Sequence, residues 1–171
     1  MKTTKLYNVI FPIWLLLFFP PVILISLVGN YLIDSLVLVI CYYLFKLNLV
    51  QDSLKSFYKE SIIKVWLFGF LADLIGAVIL FITGITGDML RLPYEITSAI
   101  CYDPYSHPVA VLIIILATLV AGFFIFFFNY NITFRKLIKD NALRLKVSLT
   151  LAIITMPWTF FLPTKWFYHG F

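Results

Sequence analysis

The feature that most constrains this chain is a succession of five apolar stretches. Each is close to the roughly 20 residues that an α-helix needs to cross a hydrocarbon core of about 30 Å. They run from Tyr7 to Val28, from about Asn30 to Phe45, from Val65 to Ile85, from Pro108 to Tyr130 and from Val147 to about Trp166. Their interiors hold only two charged residues, Asp34 and Asp73. Of 171 residues, 63% are apolar and 12% charged, whereas soluble domains average about 45–50% and about 25%. A water-soluble protein this short leaves much of its surface wet and cannot bury so much hydrophobic side chain. The expected fold is therefore an all-α, polytopic integral membrane bundle of about five transmembrane helices. It forms one domain spanning residues 1–171, solvated by the lipid bilayer of the cell membrane.

The segment from Tyr7 to Phe45 is too long for one crossing and just long enough for two. Gly29-Asn30 is the natural turn, because both residue types tolerate left-handed backbone angles. Pro20-Pro21 then kinks the first helix, since proline removes a donor and crowds the preceding turn. The rival reading puts the turn at Pro20-Pro21, giving a short first segment that re-enters the membrane and a long second helix.

Charge supports five crossings with the N-terminus inside and the C-terminus outside. Lys2, Lys5, Lys46, Lys55, Lys59, Lys64, Arg135, Lys136, Lys139, Arg144 and Lys146 then share one side, leaving Arg91 and Lys165 on the other. Eleven of thirteen basic residues thus face the cytoplasm, as orientation by basic loops requires. Tyr7, Tyr42, Tyr43, Trp66 and Tyr130 are expected near the inner boundary, and Tyr31, Trp166 and Tyr168 near the outer one. The net charge of +5 is spread through short clusters rather than a basic face, so nucleic acid is not an expected partner. Residues 52–64 place Leu54, Phe57, Tyr58, Ser61 and Ile62 among lysines at helical spacing, the pattern of an amphipathic helix on the inner membrane surface. Residues 86–107 form the one sizeable outer loop. Two lysines before the first apolar run imitate a secretion signal, but no small-x-small cleavage pattern follows, and the run is expected to remain as a helix.

Ionisable residues within a membrane are costly and mark functional sites by default. Asp73 falls about 12 Å inside the inner boundary at 1.5 Å per residue, near mid-membrane. Gly69, Ala72 and Gly76 give its helix a small-residue face, and Ala117 and Ala121 do the same for the fourth stretch, so these five are expected to pack helices. With a turn at Gly29-Asn30, Asp34 lies in the first turn of its helix, about 6 Å below the outer boundary. The two carboxylates are then about 12 Å apart along the membrane normal, too far to share a proton as an aspartyl protease requires. Gly29-Asn30-Tyr31-Leu32-Ile33-Asp34 resembles the glycine-asparagine-to-aspartate motif of signal peptidase II. The spacing is one residue longer, Ser35 stands where arginine is expected, and the second aspartate motif is missing, so the chain is not assigned to that family.

Glu95, Asp103 and His107, with His169, are the outer residues that a metal site would need. Pro104 breaks the helical spacing between Asp103 and His107, and no metal or other cofactor is expected. No serine or cysteine has an identifiable base and orienting group, so no catalytic residue is assigned. Cys41 and Cys101 fall on opposite sides of the membrane and are not expected to pair. Pro157 and Pro163 interrupt the last stretch, as in helices that line transport sites or that neighbours satisfy. The leading functional expectation is an accessory or scaffold subunit of a membrane assembly, with copies of itself or other membrane subunits as partners. The competing expectation is a small proton- or cation-coupled carrier or channel using Asp73, and an intramembrane enzyme is third.

Overall fold

A computed structural model describes residues 12–18, 20–49, 53–87 and 89–167. Every regular element among them is helical. The α-helices are α1 (Pro20–Leu44), α2 (Leu54–Ile85), α3 (Tyr94–Cys101), α4 (Pro108–Phe128) and α5 (Asn141–Thr155). Short 3-10 turns at Ile13–Phe18, Leu47–Leu49, Pro104–Ser106, Trp158–Phe161 and Thr164–Trp166 connect or flank them. Three segments are long and apolar enough to cross a membrane: Ile23–Leu44, Leu54–Gly84 and Pro108–Thr133. The chain is an all-helical protein of membrane type.

Local chemistry sets the ends. The Ser53 hydroxyl accepts from the Ser56 N–H and caps α2. His107 Nδ1 accepts from the Val109 N–H at the start of α4, where Pro108 has no N–H to lose. Asp140 accepts from the N–H groups of Ala142 and Leu143 and opens α5. Lys46, at a φ of 51°, turns the chain out of α1 in the left-handed manner of a helix C-terminus. Past Phe128, α4 continues through a π turn, Asn129–Thr133.

α1 and α4 run antiparallel to α2 and pack on it. Two cores form. The first joins Leu38 and Leu47 with Phe57, Phe134 and Leu151 at the lysine-rich end, where the Phe57 and Phe134 rings stack at 5.9 Å. The second joins Trp14 with Leu80, Ile100, Ile114 and Phe160 at the opposite end, under α3.

The structure corrects the threading expected from sequence. Gly29 and Asn30 lie inside α1, which runs unbroken for 25 residues. α1 begins at Pro20, so the long second helix of the rival reading is the arrangement found. In lipid every interrupted backbone hydrogen bond is expensive, which keeps Gly29-Asn30 helical. Proline is tolerated in the first turn of a helix. The separate spans 7–28 and 30–45 therefore do not exist, and residues 1–11 lie outside the described ones. Trp14 packs at the α3 end.

Residues 54–64 are not a separate surface helix but the first turns of α2, whose 32 residues span about 48 Å. Tyr31 is not at the outer boundary: its hydroxyl accepts from Tyr58 at 3.0 Å. The fifth stretch is not one span either, because Pro157 follows α5 after 15 residues and the chain continues in 3-10 turns. The outer loop contains the helix α3.

Candidate functional site

The unbroken α1 moves Asp34 from a helix end to the middle of Ile23–Leu44. There it faces the same cavity as Asp73. The expected separation of about 12 Å along the membrane normal does not hold, since it rested on the turn at Gly29-Asn30. On α1, Asn30 and Asp34 are four residues apart and share a face; on α2, Gly69 and Asp73 do the same. Asn30 Nδ2 donates to Asp73 Oδ2 at 2.9 Å. A Cβ on Gly69 would lie 3.5 Å from Asp34 Oδ2, so the glycine leaves room for the Asp34 carboxylate against α2.

Both aspartates are buried, at 3% and 6% exposure, and Asp34 Oδ2 and Asp73 Oδ1 have no hydrogen-bond partner within the protein. The cavity measures about 150 Å³. Its far wall is the chain leaving α5, where Thr155, Pro157, Trp158 and Thr159 line it. Pro157 has no N–H for the Ile153 carbonyl, and the Trp158 indole N–H takes that place at 3.0 Å. The Trp158 backbone N–H turns to the Met156 carbonyl at 2.7 Å, which ends the α-helical ladder.

Among the described residues no Lys, Arg or His lines this cavity. Two carboxylates at membrane depth without a fixed counter-charge are tolerated when they hold protons, bind a cation or face water in a cavity. The arrangement can therefore bind and release small positive species. The Asp34 and Asp73 carboxylates and the Thr155 and Thr159 hydroxyls in the lining are oxygen groups that suit a proton or a hard cation.

The other residues singled out in the sequence have separate roles. Ala72, Ala117 and Ala121 are fully buried. A Cβ on Gly76 would meet Phe160 Cε2 at 2.8 Å, the Ala117 carbonyl at 3.2 Å and Ala121 Cβ at 3.2 Å. These small residues pack α2 on α4 within the chain, while Gly69 serves the cavity. Asp103 pairs with Lys165, His107 caps α4 and Glu95 lies in the first turn of α3. They do not converge, and among the described residues no group of three or more His, Cys, Asp or Glu side chains is placed to hold a metal. His169 lies outside the described residues. Cys41 and Cys101 are both free.

Sequence reasoning missed Asn30, Thr155 and Thr159 as cavity residues. The available signal was the four-residue spacing of Asn30 to Asp34 and of Gly69 to Asp73, legible once α1 is taken as continuous. The fold and the site together define a helical membrane protein with a buried two-carboxylate cavity. Protein-family models, curated proteins and solved structures were all compared with the chain, and none matches.

Proposed function

We propose that this chain is a small multi-pass carrier or channel of the cell membrane that moves protons or a small cation through the Asp34–Asp73 cavity. One observation carries the reading: two buried carboxylates on different helices open unpartnered oxygens into a single cavity that no basic side chain among the described residues lines. A scaffold does not need such a site, because burying an uncompensated polar oxygen costs about 1–3 kcal/mol. The small residues that favoured the accessory-subunit reading are spent on packing within the chain. An intramembrane enzyme remains the third reading.

The lysine-rich end faces the cytoplasm in this proposal. Lys46 after α1, Lys55 and Lys59 in the first turns of α2, Arg135, Lys136 and Lys139 before α5, and Arg144 and Lys146 in its first turns lie toward it, whereas Arg91 and Lys165 lie toward the α3 end. Three crossing helices enclose little by themselves, so the carrier acts as an oligomer. An apolar groove of about 260 Å³ between α4 and α5, lined by Leu119, Phe123, Phe126, Leu149 and Ile153, is a surface on which a second copy or another subunit can rest.

Purified protein in liposomes, under an imposed proton or cation gradient and with a pH-sensitive or cation-sensitive dye inside, tests the reading. Wild type should dissipate the gradient, and Asp73→Asn should lower the flux at least tenfold while eluting as wild type does in detergent. Equal flux in the variant would remove the carrier reading. A fixed stoichiometric partner retained in mild detergent, without flux, would restore the accessory subunit.

A further inference from the structure

Ser35, Ser61, Thr83 and Thr155 each give their hydroxyl to the carbonyl four residues earlier, at 2.6, 2.7, 2.9 and 2.9 Å. That is how a hydroxyl in an apolar helix satisfies itself. Thr133 and Ser148 do not follow this pattern. Their hydroxyls are buried, at 1% and 0% exposure, and have no partner within the protein. Neither has the Asn129 side-chain oxygen, in a residue of 0% exposure whose amide goes to the Ile125 carbonyl at 2.8 Å.

Asn129 and Thr133 begin and end the π turn that follows α4, a local widening of the kind frequently found at functional sites. The register of α5 against α4 is fixed by two contacts. A Cβ on Gly122 would lie 3.2 Å from Met156 Sδ, and the Arg144 guanidinium sits 4.5 Å above the Tyr130 ring. Antiparallel packing between those points puts Ser148 level with Asn129. Ser148 is also seven residues before Thr155 in α5, on the same helix face and about 10 Å away, and Thr155 lines the carboxylate cavity. Between the two levels lie Ile125, Leu151 and Ala152, all apolar and buried.

We infer that Asn129, Thr133 and Ser148 line a water-holding chamber that forms the approach to the Asp34–Asp73 cavity from the lysine-rich end, with the Ile125 level as the constriction between them. The inference rests on the carrier reading for its purpose but not for its test. Buried polar atoms with room for water are satisfied by it, each such water making about three hydrogen bonds. The three unpartnered groups that this register sets on facing turns of two helices supply that number. The apolar turn above them separates this water from the carboxylates until the constriction opens, as hydrophobic gates do.

Cysteine accessibility tests this directly in the full-length protein, after Cys41→Ala and Cys101→Ala remove the native thiols. Ser148→Cys and Thr133→Cys are treated separately in liposomes with a small, charged, water-soluble methanethiosulfonate, and Ile125→Cys serves as the dry reference. Each variant is first checked for wild-type elution in detergent, and two chamber positions are used so that loss of one to misfolding leaves the other. Both should react at least tenfold faster than Ile125→Cys. Reaction as slow as that of Ile125→Cys at a well-folded chamber position would overturn the inference, even if Asp73→Asn abolishes flux. Rapid labelling with unchanged flux in Asp73→Asn would instead keep the chamber and remove the carrier reading.

Discussion

Trp14 and Asp34 are equally buried, each at 3% exposure, yet the polar atoms of the two are treated differently. At the α3 end, the Trp14 indole donates to the Ile100 carbonyl at 3.1 Å, the Ile13 N–H to the Thr164 hydroxyl at 3.2 Å and the Lys165 N–H to the Tyr102 carbonyl at 3.2 Å. Asp103 answers the Lys165 side chain with Oδ2, and its Oδ1 is the one buried side-chain oxygen among the described residues of this region without a protein partner. In the middle of the bundle, Asp34, Asp73, Thr118, Asn129, Thr133 and Ser148 all retain a polar atom without a protein partner. The first region is a tied cap that fixes the ends of α2, α3 and α4. The second carries polar groups the fold does not use, at a depth where unused polarity is expensive. Under the proposed function, stability and flux are separated along the helix axes, and substitutions in the two regions should have opposite signatures.

The largest contrast expected is in thiol chemistry. Burial within the cap pushes the Cys101 thiol up to about 11 from an ordinary 9.0. Because the thiolate is the reactive form, native Cys101 should react about 100-fold more slowly than an exposed thiol near pH 8. The rate should climb as pH rises toward 11, the direction that a raised thiol pKa requires. Rapid labelling of Cys101 at neutral pH would show the cap to be open and would erase its difference from the middle. Next is Asp34→Asn, which should lower flux at least tenfold, as Asp73→Asn does, while leaving thermal unfolding in detergent unchanged or raised. Removing an uncompensated buried charge does not destabilise, and sites kept for function are often improved in stability when neutralised. A falling unfolding temperature together with full flux would reverse the assignment of the two regions.

Cap substitutions should cost stability and leave residual flux proportional to folded protein. In Gly87→Ala the new Cβ meets Thr97 Cγ2 and approaches the Thr83 carbonyl to 2.9 Å, and overpacking of this kind costs about 1–3 kcal/mol. Trp14→Phe leaves the buried Ile100 carbonyl without its donor, at about 1 kcal/mol or somewhat more, measurable as a smaller drop in unfolding temperature. Gly69→Ala should change stability least, by under about 0.5 kcal/mol. Its Cβ meets only Asp34 Oδ2, at an ordinary 3.5 Å. The same methyl intrudes on the cavity, so flux should fall more than stability does.

Much of the helical architecture was legible because it follows from composition along the chain. The fourth stretch, read as Pro108 to Tyr130, is α4 with the start of its π turn, and the third is the apolar part of α2. The threading of residues 7–45 was not legible by turn chemistry. Gly29-Asn30 has the residue types of a turn, yet Gly29 meets nothing within 4 Å and Asn30 is tied to a residue 43 positions away. That pairing depends on tertiary structure, and no window around Asn30 contains it. The same holds for the cavity wall: Pro157 marks a helix end in sequence, but the Trp158 indole that replaces its missing donor is found only in the fold. Asp73 could be singled out from depth alone. Its partnership with Asp34 could not, because the depth of Asp34 depended on where the chain turned.

The continuity of α1 is what brings the two carboxylates together, and one cross-linking experiment tests it most directly. In a background with Cys41→Ala and Cys101→Ala, the pair Asn30→Cys with Asp73→Cys is compared with Asn30→Cys with Thr83→Cys, using a short bifunctional thiol reagent. The first pair should cross-link within one chain and the second should not. Cross-linking of the second pair alone would return Asn30 to a turn at the membrane boundary, and the shared cavity would not exist.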